Sequence, residues 1–161
     1  MIFPDGFAGF RRWEELPFPS IDLGVFKSVC YAAARVLGGK VVNFEFANVT
    51  PNFHRALIEW GYEPKRVSVL CNRAHYLVAL CEPKPPHSCA NEYLDAPELA
   101  AAFSQVSDWK IFSKAELEAV VDDEMVQSMS EPDRRTVERA HRKGWFGPSR
   151  TVGDLIFHYS D

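Results

Sequence analysis

The sequence predicts a single α+β domain, a small mixed sheet with helices on one face and extra helices toward the C-terminus. Three observations carry this expectation. Val42, Phe44 and Phe46 alternate with Asn43 and Glu45, the period of two of a half-buried strand. Phe26, Val29, Cys30, Ala33 and Leu37 recur at spacings of three and four, the stripe of an amphipathic helix. The chain has 161 residues, 47% hydrophobic and 25% charged, the size and make-up of one globular domain. Such a domain buries about 68–70% of the surface of its unfolded chain, enough to fold without disulfides or a metal.

The first twenty residues read as an irregular arm. Phe3, Phe7, Phe10, Trp13 and Phe18 are interrupted by Gly6, Gly9 and three prolines, which break any regular element. Aromatics of this kind usually pack over a core; as an exposed edge they would bind a partner. From Ile21 to Leu37 the spacing predicts a helix capped by Asp22 and stopped by Gly38-Gly39, with Lys27 and Arg35 off its apolar stripe. Lys40 to Phe46 is the alternating strand. Thr50-Pro51 then reads as the start of a second helix, with Phe53, Leu57 and Trp60 as its stripe and Gly61 as its end.

Arg66–Cys71 and His75–Cys81 read as two strands joined by the short link Asn72-Arg73-Ala74. The proline-rich run from Glu82 to Pro86 cannot continue a ladder, because proline lacks the backbone donor. Asp95-Ala96-Pro97-Glu98 starts a helix with Leu99, Ala102, Phe103 and Val106 inward. Trp109 to Phe112 is a short strand, and Ser113 with Glu116 forms a capping box ahead of Leu117, Val120 and Val121. A polar helix follows Ser130, with only Val137 and Ala140 to face inward, and Thr151 caps a last short helix. From Lys40 onward the order β-α-β-β-α-β matches a split βαβ unit, and other α+β topologies share that order.

Composition narrows the function. The net charge of −4 argues against a protein whose task is to coat nucleic acid. No apolar run approaches the roughly 20 residues of a membrane span. The start lacks a basic segment followed by a continuous apolar run, so a cytoplasmic protein with free thiols is expected.

Residues that could carry chemistry fall into four sets. Cys71, His75, Cys81, His87 and Cys89 have the donor chemistry of zinc ligands. Along an extended strand His75 and Cys81 stand roughly 20 Å apart, so one four-ligand site is hard to build, and buried structural thiols are the simpler reading. No metal or cofactor is therefore expected. His54, His75 and His87 would serve as acid–base groups if the protein were a small enzyme, provided they converge in one pocket with a carboxylate or thiol. Asp122, Asp123 and Glu124, with Glu116 as a helix-face neighbour, are a solvated acidic face in the ordinary case and a contact for a basic partner in the functional one. Arg135, Arg139 and Arg142 share a helix face that would bind phosphate in a nucleic-acid accessory domain, although Glu131, Asp133 and Glu138 dilute the charge. Glycine-rich phosphate loops and a Gly-x-Ser-x-Gly elbow are absent.

The C-terminal run Thr151-Val152-Gly153-Asp154-Leu155-Ile156-Phe157-His158-Tyr159-Ser160-Asp161, together with Val42-Asn43-Phe44-Glu45-Phe46 and the Thr50-Pro51 step, resembles small immunity proteins encoded beside bacterial polymorphic toxins, including those of contact-dependent growth inhibition. The shared features are structural in kind and cover a minor part of the chain, so no functional residue is carried across. The resemblance implies a cytosolic protein without catalysis, whose partner is a cognate toxin domain, a nuclease in the leading form, bound over its active site. It leaves the oligomeric state open.

Overall fold

The computed structural model describes residues 2–8, 19–48, 51–84, 90–144 and 150–158. Helix α1 (Leu23–Val36) begins where Asp22 accepts a hydrogen bond from the Val25 amide, and it ends at Gly38, whose φ of 65° is the left-handed conformation glycine favours. Four strands then run antiparallel in sequence order: β1 (Lys40–Glu45), β2 (Phe53–Trp60), β3 (Lys65–Asn72) and β4 (Leu77–Cys81). Helix α2 (Pro97–Val106) crosses over to β5 (Lys110–Ile111), which lies parallel to β4 and closes the sheet order β1-β2-β3-β4-β5. Among the described residues four more helices follow: α3 (Lys114–Glu118), α4 (Asp123–Gln127), α5 (Glu131–Arg142) and α6 (Val152–Ile156).

The α+β class, the mixed sheet and the extra C-terminal helices follow the expectation, but the segment after Pro51 does not. It forms strand β2 instead of a second helix, so the β-α-β-β-α-β order is replaced by a four-stranded meander followed by a helical crossover. The reason is pairing on both sides. Phe53 to Trp60 are in continuous register with β3, and Glu59 to Arg55 pair with β1 across one register shift between Val41 and Asn43. Burial along β2 alternates, with His54, Ala56, Ile58 and Trp60 buried on one face and Arg55, Leu57 and Glu59 half-buried on the other.

Each face of the sheet carries its own core. On one face α1 and α2 pack Phe26, Cys30, Leu99 and Phe103 against Ile58 and Val69. On the other, Leu70 and Ala79 meet the N-terminal segment and the C-terminal helices through Phe7, Leu117, Leu155 and Phe157. The two principal helices thus share one face as expected, while the C-terminal helices occupy the opposite one.

The described part of the N-terminal arm packs over the core. Phe3 and Phe7 stack at 4.6 Å, and both are buried. Polar groups fix this segment in place. Asp133 accepts hydrogen bonds from the Gly6 amide (2.7 Å) and the Ala8 amide (3.2 Å). Asn72 Nδ2 donates to the carbonyls of Phe7 and Ile156, both at 2.8 Å, joining the arm to α6. Asn72 Oδ1 meanwhile accepts from the Ala74 and His75 amides, which shapes the β3–β4 turn. No helix among the described residues is long and apolar enough to cross a membrane.

Candidate functional site

The four carboxylates singled out in the sequence have unequal freedom. Glu116 is tied into the cap of α3: its carboxylate accepts from the Ser113 amide and hydroxyl and pairs with Lys110 at 2.7 Å. Those bonds hold its pKa below the usual carboxylate range, with the Lys110 hydrogen bond the largest cause. Asp122 caps α4 by accepting from the Met125 amide at 2.8 Å. Of the four, only Asp123 and Glu124, exposed in the first turn of α4, present carboxylates that no side-chain hydrogen bond or ion pair from the described residues engages. Their position at a helix start is itself a stabilising one, opposite the partial positive charge of the terminal amides.

Arg135, Arg139 and Arg142 do share one face of α5, as their spacing implies. Arg135 lies 3.8 Å from Glu131, one turn earlier. Arg139 and Arg142 sit in the last turn, where cations offset the partial negative charge of the helix end. The arginines therefore have a local role, and the ion pair with Glu131 lowers the positive potential of the row.

The histidines do not converge. His54 accepts the Ala47 amide on Nδ1 at 2.9 Å and packs against Phe26 and Phe46. Burial, helped by Arg73, pushes its pKa down to about 4, so the ring is neutral at pH 7. His75 lies in the β3–β4 turn with Nε2 2.6 Å from the Asp5 carbonyl. His158, which the sequence reading passed over, is buried with Nε2 2.8 Å from the Ala8 carbonyl, and burial lowers it to about 4 as well. Each ring is engaged by a different backbone group, Ala47 for His54 and two groups of the N-terminal arm, Asp5 and Ala8, for His75 and His158. His87 and Cys89 lie outside the described residues.

The thiols are equally structural. Cys30, Cys71 and Cys81 are free and buried, and burial raises the pKa of all three. A nucleophilic cysteine requires the opposite shift. Cys71 and His54 are cross-strand neighbours, but a neutral imidazole beside a thiol of raised pKa is not an activated pair. Among the described residues no group of three or more His, Cys, Asp or Glu is placed to hold a metal.

What the structure gathers, and the sequence reading left scattered, is a surface along the free edge of the sheet. Lys27, Tyr31 and Arg35 follow one another at intervals of one helical turn and form an exposed ridge on α1. The tight link through Gly38-Gly39 folds β1 back alongside that ridge. Tyr31 meets Phe44 edge-on at 5.5 Å, and Phe44 stacks on Phe46 at 5.9 Å. The Lys27 ammonium lies over both phenylalanine rings, 5.8 and 6.0 Å from their centroids. Beyond Tyr31 the surface continues into a groove of about 450 Å³ between helix and strand, where Ser28, Arg35 and Lys40 supply polar groups. Tyr31, Val42 and Phe46 remain 47%, 41% and 41% exposed. The available signal was Tyr31 between Lys27 and Arg35 on the polar side of a helix directly preceding an alternating strand; recognising it required knowing that this strand is an edge.

A second concave region flanks the start of α2, in two adjoining grooves of about 380 and 530 Å³. Leu94, Asp95, Ala96 and Pro97 line both. Its charged groups are largely engaged: Glu98 accepts from the Trp60 indole at 2.9 Å and pairs with Lys65, and Asp95 accepts the Lys114 amide. Neither these grooves nor the one beside β1 is lined by a histidine. Comparison with protein-family models, curated proteins and solved structures returned no match for the chain, so its functional reading rests on this geometry.

Proposed function

We propose that the protein is a binding module that neutralises a partner toxin domain by covering it, in the manner of the immunity proteins its sequence resembles, and that it acts in the cytoplasm. The observation that carries this reading is the contiguous surface of exposed Tyr31 and Phe46 joined through half-buried Phe44, with Lys27 and Arg35 beside it. Aromatic anchors ringed by cations are the composition of interface hot spots, where a few residues supply most of the binding energy. The fate of the titratable groups supports the same reading. His54, His75, His158 and Asp133 are engaged in bonds to backbone, and Cys30, Cys71 and Cys81 lie buried as free thiols, a state suited to a reducing compartment.

The charge of this surface bears on the partner. Cationic anchors suit an acidic patch on the toxin domain; a basic nuclease surface would instead meet Asp123 and Glu124 on α4. Co-expression with the product of each adjacent reading frame separates the cases. A toxic product whose host survives only with this protein, and which co-purifies with it, supports the proposal. Tyr31→Ala combined with Phe46→Ala should then weaken the complex at least about thirtyfold, since truncating a hot-spot residue costs about 2 kcal/mol or more. Loss of protection on Asp123→Lys with Glu124→Lys, and not on the aromatic pair, would transfer the interface to α4. Absence of any toxic or co-purifying neighbour product would overturn the proposal.

A further inference from the structure

Strand β1 is an edge strand, bonded to β2 along one side only. Alternate backbone N–H and C=O groups of such a strand point away from the sheet, and none of the described residues bonds to them. Exposed edges are normally blunted by lysine, bulges or cover. β1 has a register shift between Val41 and Asn43 and a lysine at Lys40, but that lysine is drawn back to Glu59 at 3.4 Å. The rest of the edge presents Val42 and Phe46, which are apolar and open. We infer that this edge receives an acidic extended segment of the partner protein, added to the sheet as a sixth strand beside the α1 ridge; the inference rests on the binding role proposed above and specifies its mode.

Charge identifies the occupant. From Leu23 to Val36, α1 has two cations, Lys27 and Arg35, and no carboxylate. Arg35 makes no ion pair or side-chain hydrogen bond among the described residues. The acids nearest the edge are already matched: Glu45 pairs with Arg55, and Glu59 bridges Lys40 and Arg66. A second copy of the chain does not fit, because a two-fold pairing of β1 edges would set this cationic surface against itself. A nucleic-acid strand fits less well than a peptide, since phosphates only accept hydrogen bonds whereas the strand edge offers donors and acceptors in alternation. The net charge of −4 also opposes it.

The spacing of the ridge sets the pattern of the segment. Lys27 and Arg35 are eight residues apart, about 12 Å along the helix axis. A strand covers that distance in about four residues. The matching segment therefore carries acids at positions i and i+4 and an apolar side chain at i+2. All three fall on the face toward α1, with the apolar one over Tyr31 and Phe44.

A fluorescein-labelled peptide Thr-Glu-Thr-Leu-Thr-Glu-Thr is the probe, titrated into the full chain by anisotropy, with amide hydrogen exchange read on β1. The expected result is saturable binding, slowed exchange at 40–46, and loss of binding when both glutamates become lysine or when alternate peptide amides are methylated. Arg35→Glu, an exposed substitution whose melting temperature serves as the folding control, should weaken binding about tenfold. Failure to saturate, equal binding of the methylated peptide, preferential binding of an eight-nucleotide oligothymidylate, or exchange at β1 that slows with protein concentration alone would each overturn the inference. These outcomes are separable from failure of the binding role. If Tyr31→Ala with Phe46→Ala abolishes protection in cells while the peptide fails to bind, the role stands and strand addition falls; saturable peptide binding without any protected toxin gives the reverse.

Discussion

Replacing Asp133 by alanine should detach the N-terminal segment from the domain. The Asp133 carboxylate is 1% exposed and accepts three hydrogen bonds, from the amides of Gly6 and Ala8 and from the Ser130 hydroxyl at 2.7 Å. Without it, the two buried amides have lost their acceptor, at a cost of about 1–3 kcal/mol each. The alternative is for residues 2–8 to lift away and hydrate. That removes Phe3 and Phe7 from the core, about 1.5–3 kcal/mol for each ring, but returns backbone freedom to the segment. Release is the favoured response because the regained entropy offsets much of the lost burial. The domain should lose on the order of 2–4 kcal/mol. For a chain of this length each kcal/mol is worth about 2–4 °C, so the melting temperature should fall by roughly 5–15 °C. Urea unfolding should show a smaller m-value as well as a lower midpoint, because less surface remains to be exposed. Amide exchange at Gly6 and Ala8 should become fast. Asp133→Asn, which retains one acceptor oxygen, should fall between. A variant melting within 2 °C of the parent, with slow exchange still at Gly6 and Ala8, would refute the assignment of Asp133 as the anchor of the arm.

Acid should destabilise the fold through two histidines. His54 and His158 are held at about 4 in the folded state against 6.5 in the unfolded chain, so the unfolded state takes up protons first as pH falls. Stability is complete above about pH 6.5 and is lost as pH drops toward 4, by at most about 3 kcal/mol per group; equal urea midpoints at pH 7.5 and pH 5 would contradict this. Gly39→Ala should cost about 1–3 kcal/mol by urea unfolding, because the added methyl overlaps the Glu59 carbonyl and comes within 2.7 Å of Trp60 Cβ. An unchanged midpoint would mean that the close approach of the α1–β1 link to β2 is not rigid. Cys30, Cys71 and Cys81 should resist iodoacetamide in the native protein and react fully in urea, as read by peptide mass spectrometry; native labelling of any of the three would show that the core opens readily.

Four helix starts were legible because their signals are local, whereas α2 begins at Ala96 without the side-chain cap expected of Asp95 and α3 stops at Glu118, short of Val120 and Val121. Asp22, Ser113, Ser130 and Thr151 cap the helices that their spacing to the following residues announces, and the apolar stripe of α1 faces the core as its period requires. The segment after Pro51 was misread because Phe53, Leu57 and Trp60 satisfy helical spacing while His54, Ala56, Ile58 and Trp60 satisfy strand alternation. Two long-range ladders, to β1 and to β3, select the strand. The candidate surface divides in the same way. Lys27, Tyr31 and Arg35 share a helix face by sequence alone, but only the sheet order makes the neighbouring strand an edge and so leaves Val42 and Phe46 exposed. Likewise His54 and His75 look chemical as a list of residues, and become structural once the Ala47 amide and the Asp5 carbonyl are seen to engage them. Sequence thus determined what each short segment can become, because capping and periodicity act over a turn or two. Tertiary structure decided which face is covered and which edge is free, because those depend on pairing between residues far apart in the chain.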